Sequence, residues 1–238
     1  MSKPQVFVVK GIAPWYSKYW VDEHHVINID ESIPGQATVT CDDNASTKLM
    51  FAVCRDLTSI DLSKFNTSNV TNMWNMFSYC SNLTSLDLSN FNTSNVEDMS
   101  YMFESCYNLA SLDLSNFDTS KVTSMTGMFM HCNSLDSLNV SSFDTSKVDD
   151  MGWMFTDCYK LTTLDLSTFD TSKVKSMCAM FWNCSSLTTI KGIIDMKSCK
   201  DCRDMFKNCN KLTDVKIKNP PYNFYGGGLS KSQYTIVS

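Results

Sequence analysis

The sequence predicts an α/β fold, a right-handed curved solenoid of 26-residue strand–turn–helix repeats with a parallel sheet on the concave side and capped ends. Residues 57–186 contain one 26-residue pattern five times, and residues 187–211 contain a shorter, degraded sixth copy. Self-similarity at such a period is typical of stacked repeat proteins. Because one copy buries too few side chains to offset its ordering entropy, neighbouring copies must stack to form a common core.

Each copy divides into a predicted strand, a polar turn and a predicted helix. Numbered from the leading leucine, positions 1, 4 and 6 are apolar and indicate a short strand, whereas positions 14, 17, 21 and 24 share one helical face. Because strands pack about 4.8 Å apart and helices about 8–10 Å, we expect the stack to bend with the sheet inside. In the second copy these apolar residues are Leu83, Leu86, Leu88, Val96, Met99, Phe103 and Cys106.

The segments outside the repeats are predicted to cover the ends of the stack. Residues 1–49 form an N-terminal cap with short strands at QVFVVK, HVINID and QATVTC, although an independent attachment role is the alternative. Residues 50–218 form the repeat region, which ends in a last strand at residues 212–218. Residues 219–238 are predicted to be a C-terminal cap or tail with a final strand at YTIV.

Composition and charge narrow the classes of function. The net charge of -5 disfavours general nucleic-acid binding, although the segment from residue 187 onward carries +5. No apolar run has the length of a membrane span, so we expect no membrane insertion. The sequence also shows no secretory-signal pattern in MSKPQVFVVKG and no anchor, which leaves its localisation open.

The residue types that usually carry catalysis or bind metals follow the period of the core instead. Seven of the eleven cysteines occupy position 24, where we expect buried, unpaired thiols. Cys199 and Cys202 align with core positions 14 and 17, although a disulfide from either one to Cys178 stays open. The three histidines have no recognisable ligand spacing, and no phosphate-binding loop or nucleophile elbow occurs. We therefore predict no catalytic residue, no metal site, no cofactor and no enzymatic activity.

Position 5 offers a first candidate binding surface. Its side chains should project from the concave sheet as an acidic row, with neighbouring carboxylates about 5 Å apart if the strands are in register. The alternatives are a solvated face and a groove for cations or a basic segment. The row consists of Asp61, Asp87, Asp113, Asn139 and Asp165.

A second candidate surface comes from comparing the copies with each other. Positions 15, 16, 19, 22, 23 and 25 differ between copies, and most should lie on the outer, convex face of the predicted helices. Large aromatic side chains on a variable, exposed face are typical of binding surfaces, although some of them can pack on neighbouring helices. The candidate residues are Tyr79, Tyr101, Tyr107, Met130, His131, Trp153, Tyr159 and Trp182.

Position 11 carries a threonine in all five complete copies. We interpret this column as helix capping or local backbone bonding, because it lies in the polar turn before the predicted helix. An ice-binding row is the alternative, since regular threonine arrays can match an ice lattice. The column consists of Thr67, Thr93, Thr119, Thr145 and Thr171.

The motif L-x-x-L-x-L-x-x-F followed by M-x-x-M-F-x-x-C-x-x-L resembles the BspA-type leucine-rich repeat family of bacterial surface proteins. The resemblance covers about residues 50–218 and implies a leucine-rich-repeat solenoid that is extracellular, on the cell surface or in a virion. It also implies adhesion to a protein, cell-surface glycan or receptor, and supplies no catalytic residues. A phage tail or virion component that engages the host, and a structural spacer or ice-binding array, remain the alternatives. The oligomeric state stays open.

Overall fold

The computed structural model describes residues 5–11, 25–29, 36–41, 47–55, 57–60, 62–63 and 65–238, the first three ranges as backbone only. Within this part of the chain there are nine β-strands, and the helical content is one 3-10 turn at Gly226–Gly228. None of the described helical structure has the length or apolar character needed to cross a membrane.

The N-terminal strands extend the repeat region at its first strand. Strands β1 (Gln5–Gly11), β2 (His25–Ile29) and β3 (Gln36–Cys41) join β4 (Leu57–Ile60) in an antiparallel sheet of order β2-β3-β1-β4. The strands predicted for QVFVVK, HVINID and QATVTC are therefore confirmed. Because β1 lies between β3 and β4, the backbone of β4 is paired on that edge with the N-terminal segment.

Backbone hydrogen bonds join each copy directly to the next along positions 17–24, which we call the turn segment (residues 73–80 in the first copy). The N–H groups of positions 17, 19, 21 and 23 donate to carbonyl groups of the following copy, as in Phe77 to Met102 at 2.9 Å. Isolated parallel bridges at position 16 link every copy from Asn72 to Asp201. The copies therefore stack in parallel, with a ladder of hydrogen bonds between them.

The turn segment is not helical, so the predicted strand–turn–helix solenoid is wrong. In the first copy the N–H groups of positions 20, 22 and 24 donate to carbonyl groups three residues earlier and so close tight turns. Examples are Met76 to Met73 and Cys80 to Phe77. In the five complete copies positions 19 and 23 have φ between 52° and 61°, in the left-handed region, which an α-helix cannot contain. Ser94 and Glu97 have the spacing of a helix-capping box, but no helix follows them.

The distance between copies also contradicts the predicted architecture. Phenylalanine rings at position 21 stack in one column, with centroids 5.3–5.9 Å apart between successive copies. This spacing is close to that of neighbouring strands and much shorter than the about 8–10 Å between packed helices. The argument for a stack that bends around an inner sheet therefore loses its basis. The strand segments of the second to fourth copies, which are fully described, carry no assigned strand, so the continuous concave sheet is absent there.

The predicted core is confirmed at the level of individual positions. Positions 1, 4, 6, 9, 14, 17, 20, 21 and 24 are buried in each of the second to fifth copies. These side chains form columns that run from copy to copy, so that each copy supplies one layer of a continuous core. In the third copy they are Leu109, Leu112, Leu114, Phe117, Val122, Met125, Met128, Phe129 and Cys132.

The C-terminal part closes the stack with parallel strands. Strand β5 (Thr163–Asp165) pairs with β6 (Thr189–Lys191), and β7 (Ile193–Asp195) pairs with β8 (Val215–Lys218), which in turn pairs with β9 (Tyr234–Val237). The final strand predicted at YTIV is confirmed. The ladder of the turn segments ends where the Phe206 N–H donates to the Gly227 carbonyl at 2.7 Å, so the tail supplies the last acceptor.

Candidate functional site

The residues of the predicted convex aromatic surface lie on the turn segments or one residue after them. Tyr107 and Tyr159, both at position 25, are exposed, with 36% and 40% of their surface accessible. The other six are half-buried, because the turns draw positions 19, 22 and 23 against neighbouring copies: Tyr79, Tyr101, Met130, His131, Trp153 and Trp182.

Four residues from three consecutive copies form a compact cluster, which we call the tyrosine patch: Tyr107, His131, Asp157 and Tyr159. The ring centroids of Tyr107 and His131 are 6.4 Å apart. The His131 Nδ1 donates to the Asp157 Oδ2 at 2.8 Å, which fixes the orientation of the imidazole. Burial, followed by the hydrogen bond and charge of Asp157, raises the pKa of the Tyr159 hydroxyl.

The tyrosine patch continues as a row of side-chain hydrogen bonds along position 23. The Asn183 Nδ2 donates to the Asp157 Oδ1 at 2.6 Å, and the Asn208 Nδ2 donates to the Asn183 Oδ1 at the same distance. Sequence reasoning missed Asp157, Asn183 and Asn208 as members of one site. The sequence signal that could have indicated them is the residue type at position 23, because Asp and Asn tolerate the left-handed conformation that this position requires.

The two tryptophans, Trp153 and Trp182, belong to consecutive copies and occupy positions 19 and 22. Both are half-buried, and the Trp182 indole Nε1 is buried with no hydrogen-bond partner. The Lys207 Nζ lies 5.7 Å from the Trp182 ring centroid, in the next copy. Trp153 occupies position 19, where its neighbours in the adjacent copies are Gly127 and Ala179.

The position-5 row is exposed wherever it is described, and Asp61 lies outside the described residues. In each of the other four copies the position-5 Oδ1 accepts the N–H of the serine two residues later, at 2.9–3.1 Å. The Ser115 N–H lowers the pKa of Asp113, and the Ser167 hydroxyl, followed by its N–H, lowers the pKa of Asp165. The Lys191 Nζ lies 3.8 Å from the Asp165 Oδ2, so a cation already faces one end of the row. The row comprises Asp87, Asp113, Asn139 and Asp165.

The position-24 thiols are buried and unpaired as predicted, except that Cys54 is only half-buried. Each buried thiol donates to the position-21 carbonyl of the preceding copy, as in Cys106 Sγ to Phe77 O at 3.2 Å. Burial raises the pKa of Cys106 to about 12, so its thiol is protonated at neutral pH. Cys178, Cys199 and Cys202 are also free, and no cluster suited to a metal ion occurs within the described residues.

The comparisons with known proteins identify a family for the repeats. The family model described as "Mycoplasma protein of unknown function, DUF285" matches residues 45–138 and again residues 106–219. The two matches overlap and together span the whole repeat region, with its 26-residue recurrence of phenylalanine. Neither the curated proteins nor the solved structures contain a match. The chain therefore belongs to the repeat family described as Mycoplasma protein of unknown function, DUF285.

Proposed function

We propose that the protein is a non-enzymatic recognition or adhesion module that binds a protein or a cell-surface glycan through the tyrosine patch. The observation that supports it best is the pair of exposed tyrosines, Tyr107 and Tyr159, at the same position two copies apart. Two strand-like spacings separate their backbones by about 10 Å. The hydrogen-bonded side chains of His131 and Asp157 lie between them and offer polar groups to a partner.

The scaffold beneath the tyrosine patch favours recognition because it is pre-organised. The backbone of each turn segment is held by bonds to the next copy, so the tyrosines lose little backbone freedom on binding. Tyrosine combines a large apolar ring with a hydroxyl, and it is enriched among residues that dominate binding energy. Position 25 holds Tyr107, Asn133 and Tyr159 in three successive copies, so its chemistry varies while the core columns stay constant.

The repeat motif resembles that of the BspA-type family, and this resemblance also favours adhesion. We propose a relationship to that family from the motif alone. A phage tail or virion component would engage the host through the same tyrosine patch, whereas a structural spacer would need no binding surface. For an ice-binding array the requirement is an exposed threonine row. The position-11 threonines are instead buried, and each hydroxyl donates to a backbone carbonyl of the next copy.

Replacement of Tyr107 and Tyr159 by alanine tests the proposed function. Fluorescently labelled protein is applied to arrays of immobilised glycans and extracellular-matrix proteins, and saturable binding is measured. We expect the double variant to lose about tenfold or more in affinity for whatever the unchanged protein binds, because two exposed aromatic contacts disappear. Unfolding should change little, since both side chains are already exposed.

The matched control replaces Tyr222 and Tyr225, two strongly exposed tyrosines of the C-terminal segment, by alanine. This variant loses the same chemical groups and should bind as the unchanged protein does. An equal loss in both double variants, or no loss in the Tyr107 and Tyr159 variant, would show that the tyrosine patch is not the binding surface.

A further inference from the structure

A second surface of the stack is strongly basic. A groove of about 660 Å³ is lined by eight residues of the fourth to sixth copies, five of them lysines and one an aspartate. We call it the lysine groove, and its lining carries a net charge of +4 although the whole chain carries -5. The lining residues are Lys147, Asp149, Lys173, Lys175, Lys197, Ser198, Cys199 and Lys200.

The stacking of the copies brings these lysines together. Position 13 is asparagine in the first two copies and lysine in the next three, the last two being Lys147 and Lys173. At position 15 the Lys175 N–H donates to the Asp149 carbonyl, and the Lys200 N–H donates to the Lys175 carbonyl, both at 2.7 Å. Neighbouring lysines along these columns are therefore about 4.8 Å apart at the backbone.

Only part of this charge is balanced within the molecule. The Lys175 Nζ pairs with the Asp149 Oδ2 at 2.7 Å, and the Lys173 Nζ donates to the Ser146 carbonyl at 2.8 Å. Within the described residues the ammonium groups of Lys147, Lys197 and Lys200 make no hydrogen bond or ion pair. Like charges at such spacings repel each other, and a bound polyanion would relieve that repulsion.

Two carboxylates near the lysine groove are already engaged in turns. The Asp144 Oδ1 accepts the Ser146 N–H at 2.9 Å, and the Asp170 Oδ1 accepts the Ser172 N–H at 3.0 Å. They moderate the positive potential of the groove without forming an ion pair with its lysines within the described residues. The groove therefore keeps several lysine ammonium groups available to an external anion.

We propose that the lysine groove binds an anionic polysaccharide, whose carboxylate or sulfate groups face the lysine columns. This site deepens the proposed recognition role and rests on it, but it shares no residue with the tyrosine patch. Lysine ammonium groups act as point charges on flexible stems, which suits a chain of repeated anions better than one fixed bidentate ligand. The ligand would lie along the stacking direction, where the positive charges recur from copy to copy.

The lining disfavours other polyanions. No aromatic residue lines the groove, whereas proteins that hold single-stranded nucleic acids stack the bases on aromatic side chains. An acidic peptide usually contributes apolar anchors to a pocket, and here the lining is charged or polar apart from Cys199. A sulfated or uronic-acid polymer requires neither feature.

The test uses the full chain with dextran sulfate and polygalacturonate as probes, neutral dextran as the uncharged control, and titration calorimetry as the measurement. One variant carries Lys147→Gln, Lys197→Gln and Lys200→Gln. A matched variant carries Lys211→Gln, Lys216→Gln and Lys231→Gln, which removes the same charge from exposed lysines outside the groove. Thermal unfolding of both variants checks that the fold is retained.

We expect the groove variant to bind an anionic probe about tenfold or more weakly, the effect of removing three lysine contacts, and the matched variant to change less than about twofold. Asp149→Asn should tighten binding, because it frees Lys175 and raises the groove charge. The comparison of the two probes distinguishes sulfate from carboxylate ligands.

Several outcomes would overturn the site. These are equal weakening in both lysine variants, binding of neutral dextran as tight as that of the anionic probes, or stronger binding of oligothymidylate or poly-glutamate than of either polysaccharide. The Tyr107 and Tyr159 variant must keep its binding to the anionic probe. If that variant loses recognition on the arrays while the lysine variants bind normally, the groove proposal fails and the tyrosine proposal stands.

Discussion

At the scale of single residues, position 19 explains why some copy-variable residues are structural. Gly127 has φ +59°, and a Cβ built on it would lie 2.4 Å from the ring of Tyr101 in the preceding copy. Trp153, in the following copy, is next to Gly127 on one side and Ala179 on the other. The column alternates large and small residues, and the lack of a side chain at Gly127 leaves room for the Tyr101 ring.

A cycle of Gly127→Ala and Tyr101→Ala tests this packing. We expect Gly127→Ala alone to lower the free energy of unfolding by about 1–3 kcal/mol, through overpacking and backbone strain. With Tyr101→Ala already present, the same change should cost less, because the ring that obstructs the new methyl group is gone. Urea unfolding gives all four free energies. Strictly additive effects would show that the two residues do not contact each other.

At the scale of the element, each copy is joined to the next by buried threonines as well as by backbone bonds. The Thr93 Oγ1 donates to the Asp118 carbonyl and accepts the Asp118 N–H, both at 2.9 Å. The same two-way bond recurs at other copies of position 11. The threonine column therefore links copies instead of capping helices, which corrects our expectation for it.

Replacement of Thr93 by valine removes both hydrogen bonds and keeps the shape of the side chain. We expect the free energy of unfolding to fall by about 2–3 kcal/mol, because the Asp118 N–H and carbonyl lose their buried partner. The matched control is Thr123→Val, whose exposed hydroxyl donates to the Glu97 carbonyl at 3.1 Å, and it should cost less than about 1 kcal/mol. Equal losses in the two variants, measured by urea unfolding, would contradict the role of position 11.

At the scale of the whole molecule, columns of turns make stability depend on carboxylate charge. At position 10, Asp118, Asp144 and Asp170 each accept the N–H of a serine two residues later. The serine hydroxyl followed by its N–H lowers the pKa of Asp118 and Asp170 below the ordinary 3.8, and for Asp144 the N–H is the larger cause. Asn92 makes the equivalent bond to Ser94 at 3.1 Å, so an uncharged acceptor also supports the turn.

The native state should therefore lose stability in acid. Because the folded pKa values lie below the unfolded ones, the unfolded chain binds more protons, and stability falls as the pH decreases from about 5 towards 2. We expect Asp118→Asn, Asp144→Asn and Asp170→Asn together to flatten this dependence and to keep the fold. Burial raises the pKa of Glu104, so the contribution of this carboxylate to stability changes with pH in the opposite direction. The test is the urea unfolding midpoint of the unchanged protein and of the triple variant, measured across this pH range. If both midpoints depend on pH equally, the three aspartates do not cause the loss of stability in acid.

Much of the molecule could be predicted from the sequence because burial repeats with the period of the pattern. The core positions of Leu109, Phe117 and Cys132 followed from spacing alone, as did the N-terminal strands and the strand at Tyr234–Val237. The candidate surfaces were predicted less well. Spacing alone did not separate an exposed Tyr107 from a half-buried Trp182, because exposure depends on what the next copy presents at the same position.

The sequence by itself determined which side chains enter the core, where the copies begin and that they must stack. Only the tertiary structure decided the conformation of the turn segment. The spacing of Met73, Met76, Phe77 and Cys80 is the same for one face of a helix and for a run of tight turns, so local pattern did not distinguish them. The N–H groups of positions 17, 19, 21 and 23 donate to the next copy. These bonds join residues 25 apart and bring the centroids of successive phenylalanine rings to within 5.3–5.9 Å of each other. A helix would use those groups internally and keep the copies farther apart.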